Sequence, residues 1–251
     1  MFRRRHDEDA RYFFVHLQKT AGTSLYFQLR DAMGARAVYP DRARGDYDDV
    51  SDKAQPVIAV DHLERRWAAR RREIRVITGH FPMCTTDLLD ADFRTFTLLR
   101  DPVERTLSYL RHHLELYPDE GWASIEDVYD DDFRFHGLIH NHMVKMFSLT
   151  VDEMDDGALT RVEFGSHHLQ RAKENLARVD VVGFQERYAE FCGELNARFR
   201  WKLSDPKHMN RTKPVPVDPG FRERIAADNA FDVELYAFAR ELSRERAQPA
   251  R

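Results

Sequence analysis

Between residues 12 and 33 the chain switches from one hydrophobic period to another across a short turn. Tyr12, Phe13, Phe14, Val15 and Leu17 have the aromatic and β-branched character of a buried strand. Leu25, Leu29, Ala32 and Met33 then recur at helical spacing. A strand that feeds a helix through a tight turn is the opening unit of an α/β sheet. The turn itself is Lys19-Thr20-Ala21-Gly22-Thr23-Ser24. Small residues there present consecutive backbone N–H groups at a helix N-terminus, where an anionic phosphate is stabilised. Lys19 adds a mobile cation at the same point. The arrangement suits a ligand with a 5′-terminal phosphate. It is not the nucleoside-triphosphate loop, which needs a Gly five residues ahead of a Gly-Lys-Ser/Thr end. Here the Lys precedes the Gly, and Gly22 is the first glycine in the chain.

A second segment answers the first. Arg100-Asp101-Pro102-Val103-Glu104-Arg105-Thr106-Leu107-Ser108-Tyr109 follows the strand-like run Phe96-Thr97-Leu98-Leu99. Asp101, Pro102 and Glu104 are an N-cap, a first-turn proline and a capping-box acid, which together start a helix. Val103, Leu107, Leu110 and Leu114 form its apolar stripe. Ser108 is expected opposite that stripe, on a face shared with Asp101 and Arg105. Arg100 falls at the carboxyl end of a strand, where open parallel sheets bind ligands. Arg100 and Ser108 are therefore expected to reach one phosphate together, the Arg through a charge-assisted fork.

The two segments together, in this order, resemble the phosphate-binding motifs of sulfotransferases that use 3′-phosphoadenosine 5′-phosphosulfate (PAPS). Lys19, Thr20, Ala21, Gly22, Thr23 and Ser24 match the 5′-phosphosulfate loop. Arg100 and Ser108 match the 3′-phosphate motif. Thr78-Gly79-His80-Phe81, after the strand-like Ile74–Ile77, is similar to the Gly-His segment of glycan 2-O-sulfotransferases. That resemblance makes His80 the expected catalytic base and Lys19 its catalytic partner at the leaving phosphate. Thr78 departs from those relatives that carry a second ionisable group before the Gly-His. Asn210-Arg211-Thr212 resembles a short segment near the cofactor, and Phe231–Tyr236 the closing helix.

The resemblance implies a soluble enzyme of bacterial type. Its expected reaction moves a sulfonate from PAPS to an acceptor hydroxyl, first of all on a carbohydrate. The product nucleotide is adenosine 3′,5′-bisphosphate, and the scheme needs no metal. A small alcohol or phenolic acceptor is the alternative within the class. A kinase-like nucleotide phosphotransferase is the alternative outside it, disfavoured by the missing Gly-rich lead and the lack of a clear Mg²⁺ carboxylate after a strand.

The rest of the chain agrees with one catalytic domain over 1–251, with tails at 1–10 and 247–251. With 42% hydrophobic and 33% charged residues, the profile is globular. No apolar run approaches a membrane span, and Met1–Asp7 has no signal-peptide core, so the expected location is cytoplasmic. A net charge of −4 gives no general pull on polyanions, so nucleic-acid binding is not expected. Cys84 and Cys192 have no metal spacing and are expected as free thiols.

Strands are predicted near 12–17, 56–60, 74–78, 94–99 and 180–184. Helices are predicted near 23–33, 62–72, 102–116, 136–147, 166–178, 186–199 and 231–246. The alternation gives an α/β, P-loop-like three-layer sandwich, a mostly parallel sheet with helices on both faces. Asp46–Asp52 and Glu120–Asp132 read as acidic turn-like segments, and 202–220 as a long loop. His62, beside Asp61, rivals His80 as base. His136, His140 and His142 are close enough in sequence to suggest a metal site, but no Cys or fitting carboxylate accompanies them. His112 and His113 are placed to cap the carbonyls of their helix. The Arg-rich stretch 65–72 reads as a solvated face that would also attract an acidic glycan.

Overall fold

The computed structural model describes residues 10–48, 50, 52–204 and 216–247. Five parallel strands form one sheet in the order β2-β3-β1-β4-β5. They are β1 (Arg11–Val15), β2 (Val38–Tyr39), β3 (Val76–Ile77), β4 (Phe93–Leu99) and β5 (Val181–Phe184). The longer helices are α1 (Gly22–Met33), α2 (Val60–Arg70), α3 (Pro102–Leu116), α4 (Ile125–Asp130), α5 (His142–Ser148), α6 (Ser166–Arg178), α7 (Tyr188–Phe199), α8 (Pro219–Asp228) and α9 (Ala230–Ala247).

β1 is apolar on both faces, as a central parallel strand must be. Phe13 and Val15 point to one layer, with Leu63 and Trp67 of α2, Met143 and Val144 of α5, Leu169 and Leu176 of α6, and Leu235 of α9. Tyr12 and Phe14 point to the other, with Leu25 and Leu29 of α1 and Tyr188, Phe191 and Leu195 of α7. The three-layer α/β sandwich follows from this alternation. A third cluster joins α3, α4 and α8 through Leu107, Leu110, Val128, Tyr129, Phe221 and Ile225.

The strand order fixes where a ligand can bind. The chain leaves β1 toward the β2 edge and leaves β4 toward β5, so the topological switch lies between β1 and β4. The Lys19 turn follows β1, Arg100 follows β4, and Gly79-His80 follows β3 on the other side of β1. All three sequence motifs therefore emerge side by side at the carboxyl edge of the sheet.

Several sequence expectations are corrected. Residues 56–60 are not a strand: Pro56 sits in the first turn of a short helix, Gln55–Ile58, and Val60 opens α2. The second strand is instead Val38–Tyr39, paired in register with Val76 and Ile77. The helix expected over 136–147 is broken. A π-helical turn at Phe135–Ile139 is followed by Asn141 in the left-handed region (φ 45°), and only then by α5. Asp46 lies in the turn expected for it, with its side chain turned inward. It is fully buried, accepts from the Asp41 amide and pairs with Arg70 at 2.5 Å. The segment 120–132 contains α4, started by a Ser124/Asp127 capping box. The expected loop 202–220 ends at α8, whose first residue is Pro219.

The Glu186 carboxylate, paired with Arg240, ties the β5–α7 connection to α9. The reciprocal capping of α5 and α9 holds more. Asp232 is fully buried, and its two oxygens accept from the Met143 and Val144 amides at 3.0 and 2.8 Å. Asn141 answers by accepting from the Phe231 and Asp232 amides, and Asn229 accepts from the Asn141 amide at 2.8 Å. Each helix thus satisfies the orphan N–H groups of the other.

Candidate active site

The turn after β1 is shaped by two left-handed residues, Lys19 (φ 67°) and Ala21 (φ 69°). Neither is a glycine, so the turn stores roughly 1–2 kcal/mol at each. Thr20 is fully buried, and its hydroxyl donates to the Leu17 carbonyl at 2.8 Å. That hydroxyl is a brace inside the turn, which leaves only the main chain of Thr20 to meet a ligand. The Ser24 amide closes back on the Ala21 carbonyl at 3.1 Å. Among the described residues, the amides of Thr20, Ala21, Gly22 and Thr23 donate to no backbone acceptor. Thr23 is exposed and Ser24 half-buried.

Arg100 is half-buried and its Nη1 donates to the Lys19 carbonyl at 3.1 Å. The two phosphate motifs of the sequence are thus in direct contact. Burial lowers the Lys19 pKa, the neighbouring Arg100 lowers it further, and Glu115 opposes both. Burial lowers the Arg100 pKa as well. Among the described residues neither cation is in an ion pair. Two half-buried cations held together without an acid between them call for an anion.

Asp101 caps α3 through the Glu104 amide at 3.0 Å, as the sequence predicts. Ser108 lies two turns on, half-buried, and no hydrogen bond of its hydroxyl occurs among the described residues. The face it was expected to share with Arg105 is different in kind. Arg105 is fully buried and donates to the carbonyls of Leu138 and Ile139 at 3.2 and 3.3 Å. The π-helical turn leaves those carbonyls without helix partners, and the guanidinium supplies donors that no apolar residue can. Lys145 does the same from α5, its Nζ reaching the His136 and Gly137 carbonyls at 2.7 and 2.9 Å. Burial takes its pKa down to about 7.

His80 follows β3 across Gly79, whose φ of 134° only glycine adopts readily. Its Nδ1 lies 3.0 Å from the His16 carbonyl. A carbonyl only accepts, so Nδ1 carries the proton and the Nε2 lone pair is free. Burial takes the His80 pKa down to about 4, the His16 carbonyl opposes that shift, and Lys19 adds to it. The ring is therefore neutral near pH 7 and able to take a proton.

His16 is the residue the sequence reading missed. Its ring stacks on Phe14 (centroids 4.7 Å apart, 11° between planes) and touches the His80 ring at 4.3 Å. Its other side meets Gly22: a Cβ there would lie 1.7 Å from His16 Nε2. The signal was present as a His one residue past the strand, six ahead of an obligatory glycine.

The other candidates do not join this group of residues. His62 is buried on α2, and its Nε2 bonds the Asp46 carbonyl at 2.8 Å, so it braces the 41–48 turn. His113 packs against Tyr109 at 4.0 Å rather than capping α3, and its neighbour His112 is exposed. His136 faces Asp132, His140 stacks on Phe135 at 5.2 Å, and His142 is enclosed with neither ring nitrogen partnered. These three do not converge. Glu153, His167 and His168 do come together. However, His168 Nδ1 already accepts from the Gly165 amide, and Glu153 already pairs with Arg171. Cys84 and Cys192 are buried and are not joined in a disulfide. Asn210-Arg211-Thr212 and most of the expected tails lie outside the described residues.

The sheet and its two-faced cover of helices match the fold of a known sulfotransferase. A crystal structure of a sulfotransferase from Alicyclobacillus acidocaldarius superposes with a TM-score of 0.50. It covers 92% of this chain and 96% of its own, at 17% identity. Part of the chain is similar to curated sulfotransferases. It is 26% identical over 187 residues to heparan-sulfate 6-O-sulfotransferase 2 of Gallus gallus, matching 62% of this chain and 46% of that protein. It is 28% identical over 187 residues to heparan-sulfate 6-O-sulfotransferase 3 of Homo sapiens, matching 62% and 39%. The chain thus spans less than half the length of these curated relatives. Their names specify 6-O transfer, whereas the Gly-His segment had been compared with 2-O enzymes. No protein-family model matches the chain. No helix among the described residues is long and apolar enough to cross a membrane.

Proposed function

We propose that the chain transfers a sulfonate from 3′-phosphoadenosine 5′-phosphosulfate to a hydroxyl of a carbohydrate. The observation that carries this reading is the contact of Arg100 with the Lys19 carbonyl, which joins two cations from adjacent strand ends, neither of them in an ion pair among the described residues. The donor types suit a nucleotide with two phosphates: an ammonium, unpartnered amides and a guanidinium at adjacent strand ends, and a hydroxyl two turns along α3. When bound, the nucleotide supplies an activated sulfonate whose S–O bond to the 5′-phosphate is the one that breaks.

Lys19 and the amides of Gly22 and Thr23 hold the 5′-phosphate end and stabilise the charge that gathers on its oxygen. Thr20, Ala21 and Ser24 shape the same loop. Arg100 and Ser108 take the 3′-phosphate. His80 Nε2 accepts the proton of the acceptor hydroxyl as its oxygen bonds to sulfur, and protonated His80 later returns that proton to solvent. The carbohydrate assignment is supported by the curated relatives, two of which are named for heparan sulfate.

The test has two arms. Thermal shifts with adenosine 3′,5′-bisphosphate and with ATP–Mg²⁺ identify the nucleotide, since a ligand of the native state raises Tm. Mass spectrometry of candidate glycans incubated with PAPS then looks for one added sulfonate. Stabilisation by ATP–Mg²⁺ alone would instead favour a phosphotransferase.

A further inference from the structure

His80 is held from two directions by one residue, and that residue is His16. The backbone carbonyl of His16 receives the His80 Nδ1 proton at 3.0 Å. The side chain of His16 lies against the His80 ring at 4.3 Å. Behind His16 the contact continues into the sheet. His16 stacks on Phe14 at 4.7 Å and 11°, and Phe14 stacks on Phe96 at 5.0 Å and 6°. Phe14 and Phe96 are buried partners in register on β1 and β4. A column of four rings thus runs from the rigid centre of the sheet to the proposed base. On its flank, His16 fills the space that a side chain at position 22 would need. No hydrogen bond of either His16 ring nitrogen occurs among the described residues. The ring is therefore not retained as a structural donor or acceptor in the core.

We infer that His16 is the positioning residue for His80, coupling the base to the 5′-phosphate loop through its ring and its carbonyl. The inference rests on His80 being the base. A neutral imidazole has a rotatable ring, and a catalytic base must keep its lone pair aimed at one point. The His16 carbonyl fixes the tautomer, and the His16 ring limits the rotation. Because the same ring abuts Gly22, any shift of the loop on nucleotide binding is transmitted to the base. Thr78 leaves no ionisable neighbour on the base's own strand; His16 brings a second imidazole from β1 instead.

The charged and titratable groups facing His80 are His16 from β1, Lys19 from the turn and His142 from α5. The experiment compares His16→Ala and His16→Phe by three measurements: kcat with saturating acceptor, the Kd for adenosine 3′,5′-bisphosphate, and the His80 ring titration by NMR. In His16→Ala, kcat is expected to fall by about 10²-fold, the usual cost of a misplaced group. Nucleotide Kd should change little, and the His80 titration should move up toward the ordinary 6.5 as water enters beside the ring. His16→Phe keeps a flat ring in the column and should recover most of the turnover.

Unchanged kcat and an unmoved His80 titration in His16→Ala would overturn the inference. So would equal loss in both variants with the titration unmoved, which would make the His16 imidazole itself the reacting group. Loss of nucleotide binding in step with kcat would assign His16 to the loop alone. The NMR titration needs no turnover, so it reads the His16–His80 contact even if sulfonate transfer is not the reaction. Full activity of His80→Ala would sink the base assignment separately.

Discussion

In the proposed reaction His80 Nε2 is the atom that takes the proton, and its behaviour can be tested one residue at a time. His80→Ala should lower turnover by about 10²–10⁴, the range for a positioned general base, with nucleotide affinity nearly unchanged. Because the ring titrates at about 4, the acid limb of the wild-type pH–rate profile should fall near there and not near 6.5. His62→Ala is the control, and retained turnover is expected because that ring is tied to the Asp46 carbonyl. Loss of turnover in His62→Ala with none in His80→Ala would reverse the assignment. Gly22 gives a second test. Gly22→Ala places a methyl 1.7 Å from His16 Nε2, so something must move. Weakened binding of adenosine 3′,5′-bisphosphate is expected, measured by calorimetry. The loss in Gly22→Ala should be smaller when His16 is also Ala, because contacting residues are coupled. Simple additivity would mean that the two residues do not touch in solution. The place of His80 after β3 was legible in the sequence, whereas the His16–His80 contact was not, because nothing in a single sequence marks which ring a His beyond a strand will meet.

At the scale of elements, the turn after β1 and the start of α3 are joined by the Arg100–Lys19 contact, and the proposed nucleotide offers one phosphate to each. Arg100→Ala or Ser108→Ala should weaken adenosine 3′,5′-bisphosphate more than adenosine 5′-phosphate. A lost charge-assisted contact costs about 1.5–3 kcal/mol, readable as roughly a tenfold or greater change in Kd. Equal losses for both nucleotides would put the 3′-phosphate elsewhere. Both elements could be read from the sequence because local signals agree there: apolar strand, turn residues, then cap and stripe. Val38–Tyr39 could not, since two residues carry no period. Val57, Ile58 and Val60 misled in the opposite direction: β-branched residues suggest a strand, yet Pro56 begins a helical turn and α2 follows at once. Arg105 misled through helix geometry alone. Its spacing to Ser108 puts both on one side of α3, but only the structure reveals the orphan carbonyls of Leu138 and Ile139 that draw the guanidinium inward.

Over the whole molecule, buried neutral histidines dominate the response to acid. Burial lowers the pKa of His16, His80, His113 and His142 alike, the second and third to about 4. Between about pH 6.5 and 4 the unfolded chain then binds more protons than the folded one, so stability rises with pH across that window. Asp232 runs the other way: burial raises it to about 6, so the folded state holds its proton more firmly and its share of stability falls as pH rises from 3.8. Burial also raises Asp156 and Glu194, but these are less buried than the four histidines, and Tm should drop as pH falls from 7.5 to 5. A flat Tm over that range would mean that these rings are wetter in solution than in the structure. The mutual caps of α5 and α9 have a consequence for synthesis. The amides of Met143 and Val144 wait for an aspartate about ninety residues later in the chain. While the chain is still emerging from the ribosome, α5 therefore starts with an open end, and His142 has no settled place behind the site. The turn after β1 and the Arg100 helix start are made early, but the floor beneath them is finished only when α9 arrives.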